Sequence, residues 1–307
     1  MVLRNEHGRI WSILRSNVQI YILLLPTALY FLIFKYGPMY GLQMAFRNYN
    51  TGLGIMNSPW VGLQYFERVL SRMYFYQVIN NTLTISLASL IFGFPFPVLF
   101  ALMLNEMRAG KGKKLIQTIT YAPHFISTVV VAAMVTLFLS PSSGVLNKIL
   151  MVFGIEAQIF LMKPEYFVPI YVISGIWQNL GWNAIIYVAA LASVNPELHE
   201  SAVIDGASRL QRICHINFPC ILPTIIIMLI LQTGSLLNVG FEKVFLLSNE
   251  AVLETSEVIS TYTYRIGITG AQFSQSAAIG LFNSVVQFAL LVLVNFIAGK
   301  VSETSLW

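Results

Sequence analysis

Six long apolar runs constrain this sequence more than any other feature, because a chain built from them belongs in a bilayer. A hydrocarbon core roughly 30 Å thick is crossed by about twenty apolar residues in helical form. Runs of that length lie at 18–46, 80–105, 115–139, 167–194, 221–247 and 275–298. Pro26, Pro95, Pro97, Pro123, Pro169 and Pro223 fall inside them. Membrane helices tolerate such breakers because neighbouring groups re-satisfy the freed backbone. Composition agrees: 10% of the residues are charged, where a soluble domain carries about a quarter. The expected organisation is an N-terminal segment at 1–17, a six-span domain at 18–298 and a tail at 299–307.

Charge placement sets the expected orientation. With the N-terminus inside, the cytoplasmic segments hold Arg4, Arg9, Arg15, Arg108, Lys111, Lys113, Lys114, Arg209, Arg212 and Lys300. The external segments hold Lys35, Arg47, Arg68, Arg72, Lys148, Lys163, Lys243 and Arg265. The bias of ten against eight is concentrated, since four basic residues crowd one short loop and three precede the first span. Both termini are therefore expected in the cytoplasm. The N-terminus lacks a short apolar core followed by a cleavage site, so the first run is expected to stay as an anchor. Net charge is +5, but the cations sit between apolar runs instead of forming the stripe that nucleic-acid binding requires. On the external side, Trp60–Leu70 reads as an interfacial helix. Leu146, Ile149, Leu150 and Phe153 give a second amphipathic piece within 144–160.

No catalytic or metal-ligating set is expected. Cys214 and Cys220, with His215 beside the first, lack a second ligand pair and read as free thiols. Gly110-Lys111-Gly112-Lys113-Lys114 lacks the spacing of a phosphate-binding loop and follows no strand. His124, beside Pro123, reads as a structural hydrogen-bonder at a helix kink.

Between the fourth and fifth runs, 195–223 reads as helix, bend, helix. Asn195 can cap a helix that starts at Pro196. Leu198, Ala202 and Ile204 form an apolar patch, and Asp205-Gly206 suits a left-handed bend. A second helical piece is expected from Arg209 to about Pro219. The run Glu200-Ser201-Ala202, then Asp205-Gly206-Ala207, Ile216, Pro219 and Pro223, resembles the EAA loop of binding-protein-dependent ABC importer permeases. Ser201 stands for an alanine and Phe218 for a leucine of that pattern. The order of spans is similar to the maltose-type sugar permeases. Gly240-FEKVFLLSN, Thr261-YTYRIG and Ser305-Leu306-Trp307 resemble the subgroup serving oligosaccharide and polysaccharide importers of Gram-positive bacteria.

The resemblance implies an all-α integral membrane protein with the type I ABC importer permease fold, multi-pass in a bacterial plasma membrane. Glu200, Ser201, Ala202, Asp205, Gly206 and Ala207 would then form a coupling helix docked on a separate ATPase. The implied partners are a second homologous permease, two ATPase subunits that carry the ATP and Mg, an extracellular solute-binding protein and a carbohydrate substrate. No cofactor is implied for this chain, which would not itself be an enzyme.

Cargo contacts are sought among polar and aromatic groups inside the bundle, which are costly against lipid. The fourth run offers Trp177, Gln178, Asn179, Trp182 and Asn183. The fifth offers Gln232, Ser235, Asn238 and Glu242 within one helical arc of roughly 120°. Amides serve sugar hydroxyls and flat rings serve sugar faces. By the maltose-type resemblance, Gln178, Asn179 and Trp182 fall near sugar-contacting positions. The same seven residues (those three and the fifth-run four) equally suit interhelical hydrogen bonding and an aromatic belt. Asn283 and Gln287 in the sixth run are lesser candidates. A non-sugar solute, or an ion-driven carrier, remains the alternative.

Overall fold

In the computed structural model, residues 17–302 are described, and the elements among them are helices plus one isolated antiparallel bridge between Arg47 and Trp60. Arg4, Arg9 and Arg15 in the N-terminal segment, and Ser305-Leu306-Trp307 in the tail, lie outside the described residues. In chain order the elements that matter are α1 (Val18–Phe46), α2 (Gln64–Leu70), α3 (Met73–Glu106), α4 (Lys111–Phe125), α5 (Thr128–Phe138), α6 (Val145–Val152), α7 (Pro164–Ala192), α8 (Pro196–Ile204), α9 (Arg209–Gly234), α10 (Phe241–Leu247), α11 (Ile259–Tyr264) and α12 (Phe273–Ser302).

Helices α1, α3, α9 and α12 are each long and apolar enough to cross a membrane, and the α4–α5 pair makes a fifth span if counted as one. Helix α7 has 29 residues, so it has the length, but Gln178, Asn179 and Asn183 make its middle polar. Proline shapes the long helices. It lacks an N–H and clashes with the preceding turn, so a widened turn often absorbs it. In α3 the π-type turn Ser89–Gly93 precedes Pro95 and Pro97, and in α9 the π-type turn Ile213–Asn217 precedes Pro219.

Two expectations about the runs need correction. The third run does not continue straight: α4 and α5 meet at 102°. Pro123 forces a tight turn at Ala122–Phe125, and the Ser127 hydroxyl restarts the chain by accepting from the Val130 amide. The fifth run is also not one helix over 221–247. Helix α9 begins at Arg209, so the second helical piece of the 195–223 stretch is its first turns. It stops at Gly234, and α10 resumes at Phe241. The intervening Leu236, Leu237 and Val239 are apolar, which hides the break from a hydropathy reading.

Three apolar clusters hold the bundle. Val98, Ala101, Ala184, Tyr187, Leu191 and Ile221 join α3, α7 and α9 at the end that carries α8. At the opposite end Ile85, Ala132, Phe167, Val244 and Val258 form one core, and Phe75, Val78, Ile259, Tyr262 and Ile279 form another. There the buried Glu257 accepts two hydrogen bonds of 2.6 Å from Arg265 and one from the Tyr74 hydroxyl. That carboxylate holds the guanidinium above its ordinary pKa. The first half of α1 is different. None of Val18–Phe31 is buried, and only the later part of the helix packs on α12.

Gly181 fixes how closely α7 approaches α4. A Cβ there would sit 2.3 Å from the Thr120 carbonyl oxygen, so only glycine permits this crossing. Gly181→Ala is expected to cost about 1–3 kcal/mol through overpacking, read as a lower thermal unfolding midpoint of the detergent-solubilised protein. An unchanged midpoint would mean that the two helices separate freely.

Candidate functional site

A cavity of about 480 Å³ lies between α3, α7, α9 and α10. Its polar wall consists of Ser89, Tyr171, Gln178, Asn179, Asn183, Gln232 and Lys243, and its apolar wall includes Phe94, Pro97, Ile176, Met228 and Leu231. A second void of about 150 Å³ shares Ser89, Tyr171 and Gln232 with the first and adds Ser235 and Asn238. The larger volume lies within the ordinary range for small-molecule sites, about 300–1,000 Å³.

The polar side chains on α7 are only partly free. Gln178 is 9% exposed and donates to the Ile126 carbonyl at 3.1 Å. That carbonyl sits at the elbow between α4 and α5, where helical pairing fails. Asn179 donates to its own helix at Gly175 O (3.1 Å) and lies 3.0 Å from His124 Nδ1. His124 stacks on Trp182 with ring centroids 4.4 Å apart. It is therefore the structural hydrogen-bonder expected beside Pro123. The elbow is pinned to α7 by this group of side chains.

The structure thus divides the seven candidates. Gln178, Asn179 and Gln232 line the larger cavity, and Gln232, Ser235 and Asn238 line the smaller. Trp182 lines neither, because its ring covers His124. Glu242 is exposed and lines neither. The single 120° arc does not exist: Ser235 caps α9, Asn238 follows it, and Glu242 belongs to α10. Trp177 faces an apolar groove between α5 and α7 instead of the cavity. Asn283 and Gln287 line neither void.

Lys243 and Tyr171 complete the cavity and were not among the candidates. Lys243 is 8% exposed, and its ammonium donates to the Tyr171 carbonyl at 2.9 Å while lying 4.7 Å from that ring's centroid. The available signal was a lysine inside the apolar run FEKVFLL, since a cation in such surroundings is functional by default. Counting it as a loop charge concealed it.

A second constellation lies at the far end of α7. The Asn195 side chain accepts from the Glu197 amide at 3.1 Å and caps α8, with Pro196 in the first turn. The helix stops at Gly206, whose φ of +77° is the left-handed region that glycine occupies without strain. The Ala207 amide then closes onto the Ala202 carbonyl at 2.8 Å, and Ser208 and Gln211 cap the start of α9 reciprocally. Glu200, Ser201 and Asp205 are exposed, as are Leu198, Val203 and Ile204, the last at 85%. Ala202 and Ala207 border a cleft with Gln211, Arg212, His215 and Ile216. Cys214 and Cys220 are free and exposed.

Residues 93–303 match the family described as the binding-protein-dependent transport system inner membrane component. The Bacillus subtilis (strain 168) polygalacturonan/rhamnogalacturonan transport system permease protein YteP is 41% identical over 99% of this chain and 95% of its own length. A solved bacterial ABC transporter involved in the import of the acidic polysaccharide alginate superposes with a TM-score of 0.89. It is 45% identical, covering 96% of this chain and 99% of that one. The bacterial alginate ABC transporter in complex with an alginate pentasaccharide-bound periplasmic protein matches with a TM-score of 0.89. Its identity is 44%, over 97% and 100% of the two chains.

Replacing Gln178 with leucine leaves the Ile126 carbonyl without its partner. Gln178→Leu should therefore lower stability by about 1–3 kcal/mol, read in the thermal unfolding midpoint of the solubilised protein. A stability equal to the parent would make Gln178 a cavity residue only, with no part in holding the elbow.

Proposed function

Because the chain belongs to the family of binding-protein-dependent transport system inner membrane components, we propose that it is a permease subunit of an ATP-driven importer of oligosaccharides. The observation that carries this reading is the pairing of two features on one rigid helix. Helix α7 bears the amide-lined cavity at its middle and leads, through three residues, to the exposed α8. The cargo class is supported by the amide and aromatic lining and by the sugar polymers that the similar transporters are named for.

In this reading the chain crosses the membrane six times, with α4–α5 and α7 as the two spans that length and hydropathy leave open. Both termini are cytoplasmic. Lys243 belongs to the cavity wall, which removes one cation from the external count and leaves ten against seven. Segments 1–17 and 299–307 flank the permease domain, and the coupling loop runs over 195–223.

Helix α8 is the coupling element, and its partner is an ATPase subunit that holds ATP and Mg. Glu200 meets a basic residue of that partner, and Ser201, Ala202 and Ala207 allow close approach. Asp205 and Gly206 make the turn that presents the tip. A partly buried ion pair sets register more than affinity. A second permease covers the bare half of α1, since membrane helices associate through packing and a helix free of its own bundle has a face to give. A solute-binding protein delivers cargo to the opposite end, as its presence in the similar alginate complex suggests. Closure of the ATPases would move α8 and switch the access of the cavity.

Glu200→Ala combined with Gly206→Val tests the coupling role. The complex should still assemble, while binding-protein-stimulated ATP turnover falls about tenfold or more, as expected for removing one buried charge partner and forcing a left-handed β-branched residue. Stimulated turnover at the parental rate would remove α8 from the mechanism. Uptake that persists without ATP and follows an ion gradient would favour an ion-driven carrier instead.

A further inference from the structure

Lys243 is the single charged residue in the wall of the larger cavity. Its ammonium has three donors; one goes to the Tyr171 carbonyl, and the ring of Tyr171 supports the charge from one face. Neither void is lined by an aspartate or a glutamate. Glu242, next to it in the chain, is exposed and lines neither void. The ion pair found among the described residues joins Arg265 and Glu257, on other elements. A buried cation with no counter-ion is costly unless an anion reaches it.

The room for an anion is also present. A Cβ on Gly175 would stand 3.3 Å from the Lys243 Nζ, so the glycine keeps a side chain off the ammonium on the α7 side. Around it, Gln178, Asn179, Asn183 and Gln232 offer neutral donors and acceptors that suit hydroxyls but supply no charge. The wall therefore presents one cation among neutral amides. That pattern fits a ligand with many hydroxyls and a carboxylate.

We propose that Lys243 is the carboxylate-recognising group of this cavity, so that the cargo is an acidic oligosaccharide built from hexuronate units. The inference rests on the importer reading above and deepens it. A neutral sugar can accept hydrogen bonds from the ammonium but brings no counter-charge to it, whereas a carboxylate supplies both. The cargoes named for two similar transporters, 41% and 45% identical to this chain, are polygalacturonan/rhamnogalacturonan and the acidic polysaccharide alginate, and both are consistent with this charge.

The test uses the assembled complex of this chain with its partner permease, ATPases and binding protein in liposomes. The probes are a galacturonate trimer and a galactose trimer, which differ in their carboxylates. The parent should import the acidic trimer, and Lys243→Met should reduce that import about tenfold, the usual scale for one charge-assisted hydrogen bond. Lys243→Arg, which keeps the cation, should recover most of the loss. Wild-type rates in Lys243→Met, or an arginine variant as poor as the methionine one, would overturn the proposal. Equilibrium binding to the parental complex without binding protein covers the case in which the variants fail to assemble. The acidic trimer should bind about tenfold more tightly than the neutral one, and equal affinities would overturn the assignment. Import of the neutral trimer alone would sink the acidic cargo while leaving the importer reading intact. Import of neither trimer would overturn the oligosaccharide reading, and the role of Lys243 with it.

Discussion

An unpaired peptide carbonyl or amide in hydrocarbon costs several kcal/mol, and water is not there to relieve it. The layout of this chain follows from how it meets that demand at its prolines. At Pro95 and Pro97 in α3 and at Pro219 in α9, a widened turn just before the proline takes up the missing donor and the clash. Where Pro123 falls, the helix breaks by 102°. The exposed ends are then repaired: Ser127 caps the new helix from within the segment, and Gln178 reaches across from α7 to the Ile126 carbonyl. The elbow therefore depends on α7.

That dependence explains why the polar residues of α7 have two duties. Asn179 and Gln178 border the cavity, yet each also holds backbone or His124 in place. These two amides are pre-organised, so little of their side-chain freedom remains to be lost when a ligand arrives. Lys243 is held in the same way by Tyr171.

Much of the framework was legible from residue patterns. The apolar runs locate the long helices because their lengths match the bilayer. The Asn195 cap, the Pro196 start and the Gly206 bend emerge as expected, since local backbone chemistry decides them. What stayed hidden depends on tertiary contact or on a break that hydropathy does not register. The stretch from Leu236 to Val239 is as apolar as the helices around it, so α9 and α10 read as one. Trp182 looked available until His124 was seen to cover its face. Lys243 looked like a loop cation because its burial comes from α7, seventy residues away in sequence. Gly181 carried no local signal, because its requirement is set by the Thr120 carbonyl.

Three residues, Ser193 to Asn195, separate α7 from α8, and α7 itself is unbroken over 29 residues. At 1.5 Å per residue such a rod is about 44 Å long, so tilting it by roughly 10° about its far end sweeps the α8 end through about 8 Å. Its amide pair, near the midpoint, travels about half as far. Because the elbow hangs from that same midpoint, α4 and α5 are carried with it. A push at the tip is thus geared down where the cavity lies, exchanging a long, soft stroke at the rim for a short, firm one at the centre.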